Sequence, residues 1–301
     1  MKRKVLSLIA FCLAVFALNA QEFTVGSYNI RYDNTGDRAK GNGWTRRCPL
    51  LTQQILFNGF DIFGAQEALH NQVEDLVAGL PGYDYIGVGR DDGLTKGEYV
   101  PVFYKKDRFR LEKSGTFWLS EDTGRPNKGW DAALPRICTW GLFTDIKTDK
   151  TVWFFNVHFD HIGVEARKQS ARLILEKIRE MCGRSAVVLT GDFNVDQTNE
   201  SYRILAGSDF LYDTYEKATV RFALNGTFNN FDYSVATSSR IDHIFVTAGF
   251  KVARYGILTD CYRTPRGDSA TGFPDGAFST QADVRTISDH YPVKVELSVE
   301  N

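Results

Sequence analysis

After residue 20 the chain has no apolar run long enough to span a bilayer, no internal repeat and no Pro- or Ser-rich linker, which excludes a second membrane-directed segment, a solenoid and an evident two-domain layout. An excess of basic residues is also missing. The sequence has 36 Lys and Arg against 37 Asp and Glu; without Lys2, Arg3 and Lys4 the basic count is 33, a net charge of −4. That balance lacks the diffuse positive footprint with which proteins hold nucleic acid by counterion release. A phosphate-bearing substrate would therefore need a metal to supply positive charge. Cysteine is sparse: beyond Cys12 there are Cys48, Cys138, Cys182 and Cys261, widely separated and without a C-x-x-C pair. This excludes a zinc ribbon or a dithiol redox motif, and at most one disulfide is expected. With 8 Pro and 26 Gly in 301 residues the chain is neither collagenous nor of low complexity. What it has in quantity is large apolar side chains, 22 Phe, 13 Tyr and 5 Trp within a 43% hydrophobic composition. These are enough to bury one substantial core.

The N-terminus opens with Lys2, Arg3 and Lys4, runs through an apolar stretch from Val5 to Leu18 broken by Ser7, and closes on Asn19 and Ala20. This is the layout of a secretory signal, too short for a comfortable membrane span. Residues 1–20 are thus expected to be a signal peptide and residues 21–301 a single domain, exported to the periplasm or the extracellular space. Cleavage after Ala17 is the alternative, because Leu18 is bulky for its place before Ala20. Phe11 ahead of Cys12 argues against a lipid anchor.

Short apolar or alternating runs bounded by turn residues predict strands at Phe23–Ile30, Asp61–Ala65, Val100–Tyr104, Ile137–Asp145, Thr151–Phe159, Ala186–Thr190, Arg240–Val246 and Tyr291–Val299. Helical spacing appears at Leu69, Val73, Leu76, Val77 and Leu80, at Leu173, Ile174, Ile178 and Met181, and more weakly over Arg46–Phe57. Several strands follow one another directly, which predicts an α/β layered fold rich in antiparallel pairing, two sheets face to face with helices outside.

The polar residues that stand out lie at strand ends: Asn29, Glu67, His158, Asp192 and Asn194. Such ends are where rigid scaffolds present functional groups. Singly, each has an ordinary role: Asn29 in a turn, Glu67 as a helix cap, His158 as a hydrogen-bonded core histidine. Asp242 is harder to explain that way, since a carboxylate among Ile241, Ile244 and Phe245 needs a cation, a donor or a metal to offset its desolvation.

Taken together, the series Tyr28-Asn29-Ile30-Arg31, Gln66-Glu67, Asn156-Val157-His158-Phe159-Asp160, Gly191-Asp192-Phe193-Asn194, Arg240-Ile241-Asp242-His243-Ile244-Phe245 and Ser288-Asp289-His290-Tyr291-Pro292 resembles the endonuclease/exonuclease/phosphatase superfamily in order and spacing, across Phe23 to Val299. The resemblance implies a four-layered α/β sandwich and hydrolysis of a phosphoester bond with Mg2+ or Mn2+. It implies Asn29, Glu67 and Asp289 as metal ligands, Asp289 either in a second site or by sharing the first, and Asp192 as the group that orients or deprotonates the attacking water. Asn194 and His158 would then contact the phosphate, and His290 would act at the scissile bond with Asp242 as its carboxylate partner. Hard oxygen donors that leave positions open suit magnesium. Arg31 and His158 depart from the exonuclease III type and bring the chain nearer the deadenylase-like and sphingomyelinase-like branches.

The substrate so implied is a phosphate ester, whether nucleic acid, inositol phosphate, phospho-sugar or phospholipid head group. An exonuclease-like phosphodiesterase leads, with a sugar or inositol phosphatase next and a catalytically silent surface binder last. No stable protein partner is implied and a monomer is expected. Gly87–Gly93 is expected to be a solvent turn, His161 is a candidate for the cleft wall, His243 is structural, and 124–134 and 224–232 are candidate rim loops.

Overall fold

The computed structural model describes residues 22–265 and 282–299. The expected signal segment and Cys12 lie outside the described residues. Fifteen strands are described: β1 (Phe23–Asn29), β2 (Ile62–Gln66), β3 (Tyr83–Ile86), β4 (Val102–Lys105), β5 (Phe109–Trp118), β6 (Ile137–Asp145), β7 (Lys150–His158), β8 (Val187–Asp192), β9 (Tyr212–Asp213), β10 (Val220–Phe222), β11 (Asp242–Val246), β12 (Phe250–Ile257), β13 (Cys261–Pro265), β14 (Ala282–Thr286) and β15 (Val293–Val299). The helices are α1 (Thr35–Ala39), α2 (Trp44–Asn58), α3 (His70–Gly79), α4 (Val164–Cys182), α5 (Glu200–Ala206) and α6 (Thr214–Lys217).

Two large sheets dominate, one ordered β10-β12-β15-β1-β2-β4-β3 and the other β5-β6-β7-β8-β11-β9. Pairing is mostly antiparallel, with parallel neighbours at β1–β2 and β10–β12 in the first sheet and β7–β8 in the second. Residue alternation sorts the core into layers. Val25, Ile62, Val102, Phe154, Val188, Val293 and Val295 meet between the sheets. The next residues along, Phe63, Phe103, Phe155 and Leu189, point outward to helices. Leu51, Ile55, Val73 and Leu76 from α2 and α3 cover the first sheet, and Ile174, Leu175, Ile178 and Leu205 from α4 and α5 cover the second. The result is the four-layered sandwich expected from the sequence. The four cysteines beyond Cys12 are free thiols.

Where the sheets come close beneath one end of the sandwich, the interior turns polar. Asn156 Nδ2 donates to the Ala65 carbonyl at 2.7 Å and the Pro101 carbonyl at 3.0 Å, and Asn156 Oδ1 accepts from Gln66 Nε2 at 2.7 Å and Thr190 Oγ1 at 3.0 Å. With its Asn156 amide fully paired, this network ties β2 to β7 and β8. Gly64 makes it possible, because a Cβ there would overlap Asn156 Oδ1 and Thr190 Oγ1.

Candidate active site

Strand register alone lines up half of the site. His158 pairs with Asp192 across the parallel β7–β8 ladder, and Asp192 pairs with Asp242 across the antiparallel β8–β11 ladder. Three functional side chains therefore stand in one row at one edge of the second sheet. On the facing sheet Asn29 pairs with Gln66, so Glu67 emerges one residue beyond the same edge. Ser288 Oγ donates to the Asn29 carbonyl at 2.8 Å and pins the segment carrying Asp289 and His290 against it. The chain turns sharply at each exit: Arg31, Glu67 and Asn194 all sit at positive φ (56°, 63° and 51°), a conformation that non-glycine residues adopt at a cost.

The side chains interlock. Asn29 Nδ2 donates to Glu67 Oε1 at 3.0 Å and to Asp192 Oδ2 at 2.9 Å, while its oxygen accepts from Arg31 N, so in this arrangement the amide bridges the two carboxylates. Asp192 Oδ1 accepts from Asn194 N at 2.9 Å, and Asn194 Nδ2 is spent on the Phe159 carbonyl. His290 Nδ1 lies 2.8 Å from Asp242 Oδ2, and both residues are buried. His290 Nε2 and His158 Nε2 approach Asp192 Oδ2 at 3.8 and 3.6 Å. Arg31 stands 3.5 Å from Asp289 Oδ2 and 3.9 Å from Glu67 Oε2. All of these except Asn29 and Asp242 line one cleft of about 430 Å3.

Burial drives the electrostatics. Desolvation, reinforced by the charge of Asp242, pushes the Asp192 carboxyl up to about 7. Asp289 is pushed to about 6 by burial and by Glu67, with His290 and Arg31 pulling the other way. Burial alone would lower the His290 imidazole, but the Asp242 carboxylate and its hydrogen bond override it and hold the ring well above its ordinary value. His158 moves well below its ordinary value, through burial and the nearby Arg136 and Arg90 guanidiniums. Two histidines in one cleft are thus set to opposite charge states. Carboxylates that burial and neighbouring charge penalise, as Asp192 and Asp289 are, are relieved by a cation, and Glu67 and Asp289 offer hard oxygen with no thiolate, so the donor set fits a magnesium-like ion.

Every site residue expected from the sequence gathers here. His161 and the rim residues Leu134, Phe228 and Asn230 line the same cleft, and His243 is buried away from it, its Nε2 3.1 Å from the Val195 carbonyl. Gly87–Gly93 contains the expected turn, at Arg90–Asp92 with Asp91 exposed, but Arg90 itself is buried and pairs with both oxygens of Glu98 at 2.7 and 2.9 Å. Glu98 and Arg136, which the sequence reading did not single out, also form cleft wall. Neither lies at a strand end within a recognisable motif; Glu98 belongs to an irregular loop and Arg136 precedes β6, so only the fold brings them in.

The molecule is an α/β sandwich of two sheets that presents buried carboxylates and two histidines at one edge. The chain belongs to the endonuclease/exonuclease/phosphatase family, whose model matches residues 26–290 and whose members generally hydrolyse phosphoester bonds. A family member from Bacteroides thetaiotaomicron is 51% identical, with a TM-score of 0.88 over 93% of this chain and 99% of that one. A mannosyl-6-phosphatase of the same species is 50% identical, with a TM-score of 0.85 over 91% of this chain and 99% of its own. The human Nocturnin catalytic domain shares the fold at 16% identity and a TM-score of 0.65, covering 92% of this chain and 93% of its own.

Proposed function

We propose that this chain is an exported, divalent-metal-dependent phosphatase that hydrolyses the phosphomonoester of a phosphorylated sugar. The observation that carries the reading is the convergence of Glu67, Asp192 and Asp289 with Arg31, His158 and His290 on one cleft of about 430 Å3, a volume in the range of small-molecule sites. Half-identity, over nearly the whole chain, to a protein described as a mannosyl-6-phosphatase supports a sugar monoester over the exonuclease-like diester that the motifs alone favoured. The basic start and apolar stretch of residues 1–20 support export.

Glu67, Asp289 and Asn29 are the residues that would hold the metal, Asn29 by turning its amide oxygen inward. When bound, Mg2+ or Mn2+ supplies Lewis acidity to the phosphoryl oxygens. The rest falls to the chain. Asp192, fixed by Asn29 and the Asn194 N–H, orients the attacking water and takes its proton. Asp242 holds His290 by Nδ1, which leaves Nε2–H directed at the reacting phosphate as a charged donor. His158, kept uncharged, donates a neutral hydrogen bond, and Arg31 opposes the second negative charge that a monoester carries and a diester lacks.

The test is turnover of mannose 6-phosphate, 4-nitrophenyl phosphate and a bis-aryl phosphodiester by the purified mature chain, with magnesium and with excess chelator. Chelator-sensitive release of phosphate from the monoesters is expected. Full activity in chelator, or turnover of the diester alone, overturns the reading.

A further inference from the structure

Beyond His158, on the side away from Asp192, lies a second group of charges that the chemistry above does not use. Glu98 Oε2 stands 3.7 Å from His158 Nδ1, and Glu98 is gripped by Arg90. Arg136 donates from Nε to Asp160 Oδ2 at 3.2 Å, and its Nη2 lies 2.9 Å from His161 Nδ1. A guanidinium can only donate, so His161 Nδ1 is the acceptor and the ring carries its hydrogen on Nε2. Arg136 and His158 are both more than nine-tenths buried, yet Arg136 Nη1 and His158 Nδ1 have no hydrogen-bond partner among the described residues. Orphaned buried polar atoms cost free energy unless something completes them, and here both belong to residues of the cleft wall.

The charge count decides what that something is. Two guanidiniums, Arg90 and Arg136, are already matched by two carboxylates, Glu98 and Asp160. A second phosphate would meet the Glu98 carboxylate with no surplus of positive charge to offset it. A neutral group that both donates and accepts is served well: Glu98 accepts, while His161 Nε2–H donates. The cleft also carries apolar wall at Phe228, whose ring is 40% exposed and packs edge-on to His290 at 5.0 Å. An amphipathic ring bearing adjacent hydroxyls meets all three demands.

Resting on the phosphatase reading above, we propose that Glu98, His161 and Arg136 form a hydroxyl-recognising subsite that grips the carbohydrate part of the substrate beside His158. The residues set specificity and take no part in the bond change. Hydroxyls donate to Glu98 and accept from His161, and the Arg136–Asp160 pair keeps His161 in the donating tautomer.

The experiment compares kcat/KM for mannose 6-phosphate with that for 4-nitrophenyl phosphate, which has the phosphate but no hydroxyls, in the wild type, His161→Ala, His161→Asn and Glu98→Gln. The sugar-to-aryl ratio should fall roughly five- to tenfold in His161→Ala and about tenfold or more in Glu98→Gln, where a charged acceptor is weakened, with partial recovery in His161→Asn, which restores a donor. The loss should appear in KM. An unchanged ratio in His161→Ala, a well-exposed side chain whose loss leaves the fold intact, overturns the subsite. Should the wild type hydrolyse neither monoester, the phosphatase reading fails by itself, and calorimetric binding of mannose 6-phosphate against inorganic phosphate then reads the subsite separately: a preference lost in the variants upholds it, a preference kept refutes it.

Discussion

The pairing of Asp242 with His290 makes the most demanding prediction. Substituting Asp242→Asn keeps the volume but removes the charge that does most to hold the His290 ring above its ordinary value, leaving Asp192 and Asp289 alone to oppose the effect of burial. The amide also has nothing to fix its orientation. Asp242 Oδ1 has no hydrogen-bond partner among the described residues, so a replacing amide can turn its NH2 toward His290 Nδ1 and favour the tautomer whose Nε2 lacks a hydrogen. A 2.8 Å hydrogen bond to a charged group is at stake. Such bonds are worth about 1.5–3 kcal/mol, which corresponds to roughly a ten- to 150-fold loss in kcat. His290→Ala should cost at least as much, and the double variant should cost no more than His290→Ala alone, since the carboxylate acts only through the ring. The assay is kcat per folded molecule for both singles and the double, with the folded fraction taken from thermal melts. Additive losses in the double variant would refute the dyad, and a loss confined to melting temperature would make Asp242 a core residue only.

The other expectations are more compact. Glu67→Gln should raise the metal concentration needed for half-maximal activity by about tenfold or more, because one of the few charged oxygen ligands is lost; an unmoved titration midpoint places the metal elsewhere. Asp213, buried against Arg240 at 3.0 Å, has its carboxyl lowered to about 2, with burial opposing the shift and His243 and Arg240 driving it. Because the folded value lies below the ordinary 3.8, the contribution, about 2 kcal/mol, is present above pH ~4 and disappears as pH falls toward 2. The stability gap to Asp213→Asn in urea should therefore close over that window, and a gap undiminished at pH 2 contradicts the assignment. Gly64→Ala should destabilise by about 3 kcal/mol, lowering the melting temperature by roughly 6–12 °C, since both neighbours of the new methyl are locked in the Asn156 network; a melt within 2 °C of wild type, on the order of experimental error, would mean that the sheets separate freely there.

Which parts of this molecule were legible in its sequence follows from how locally each was encoded. β15 announces itself through Val293, Val295 and Leu297 alternating with Lys294 and Glu296, and α4 through Ile174 and Ile178, because each buries one face and wets the other. β12 was missed since its register slips between Val252 and Arg254, and a bulge of that kind breaks the period of two on which recognition depends. β5 was missed because it is an edge strand whose middle, Arg110 to Ser114, has little apolar surface to bury. The same logic divides the site. Asn29, His158 and Asp192 could be picked out because a polar residue closing an apolar strand is visible one-dimensionally, and Asp242 because a carboxylate among apolar neighbours is; ladder register then carries three of them into a row.

Glu98 and Arg136 carry no such mark. Each is a charged residue in a loop, where a charge needs no explanation, and their significance arises only when folding buries Arg136 and brings Glu98 into the cleft wall. That asymmetry bears on what each group's replacement would disturb. The groups at strand ends are held by backbone ladders and by the Asn156 network that ties the sheets together beneath them, so altering their positions means altering the core. The groups beyond His158 hang on loops braced by ion pairs, Arg90 on Glu98 and Arg136 on Asp160, which can be exchanged in pairs without disturbing a strand. On the function and subsite proposed above, reaction chemistry and substrate choice fall to different structural layers of the same cleft, and exchanging the loop pairs should shift preference among phosphate esters while leaving the metal requirement in place.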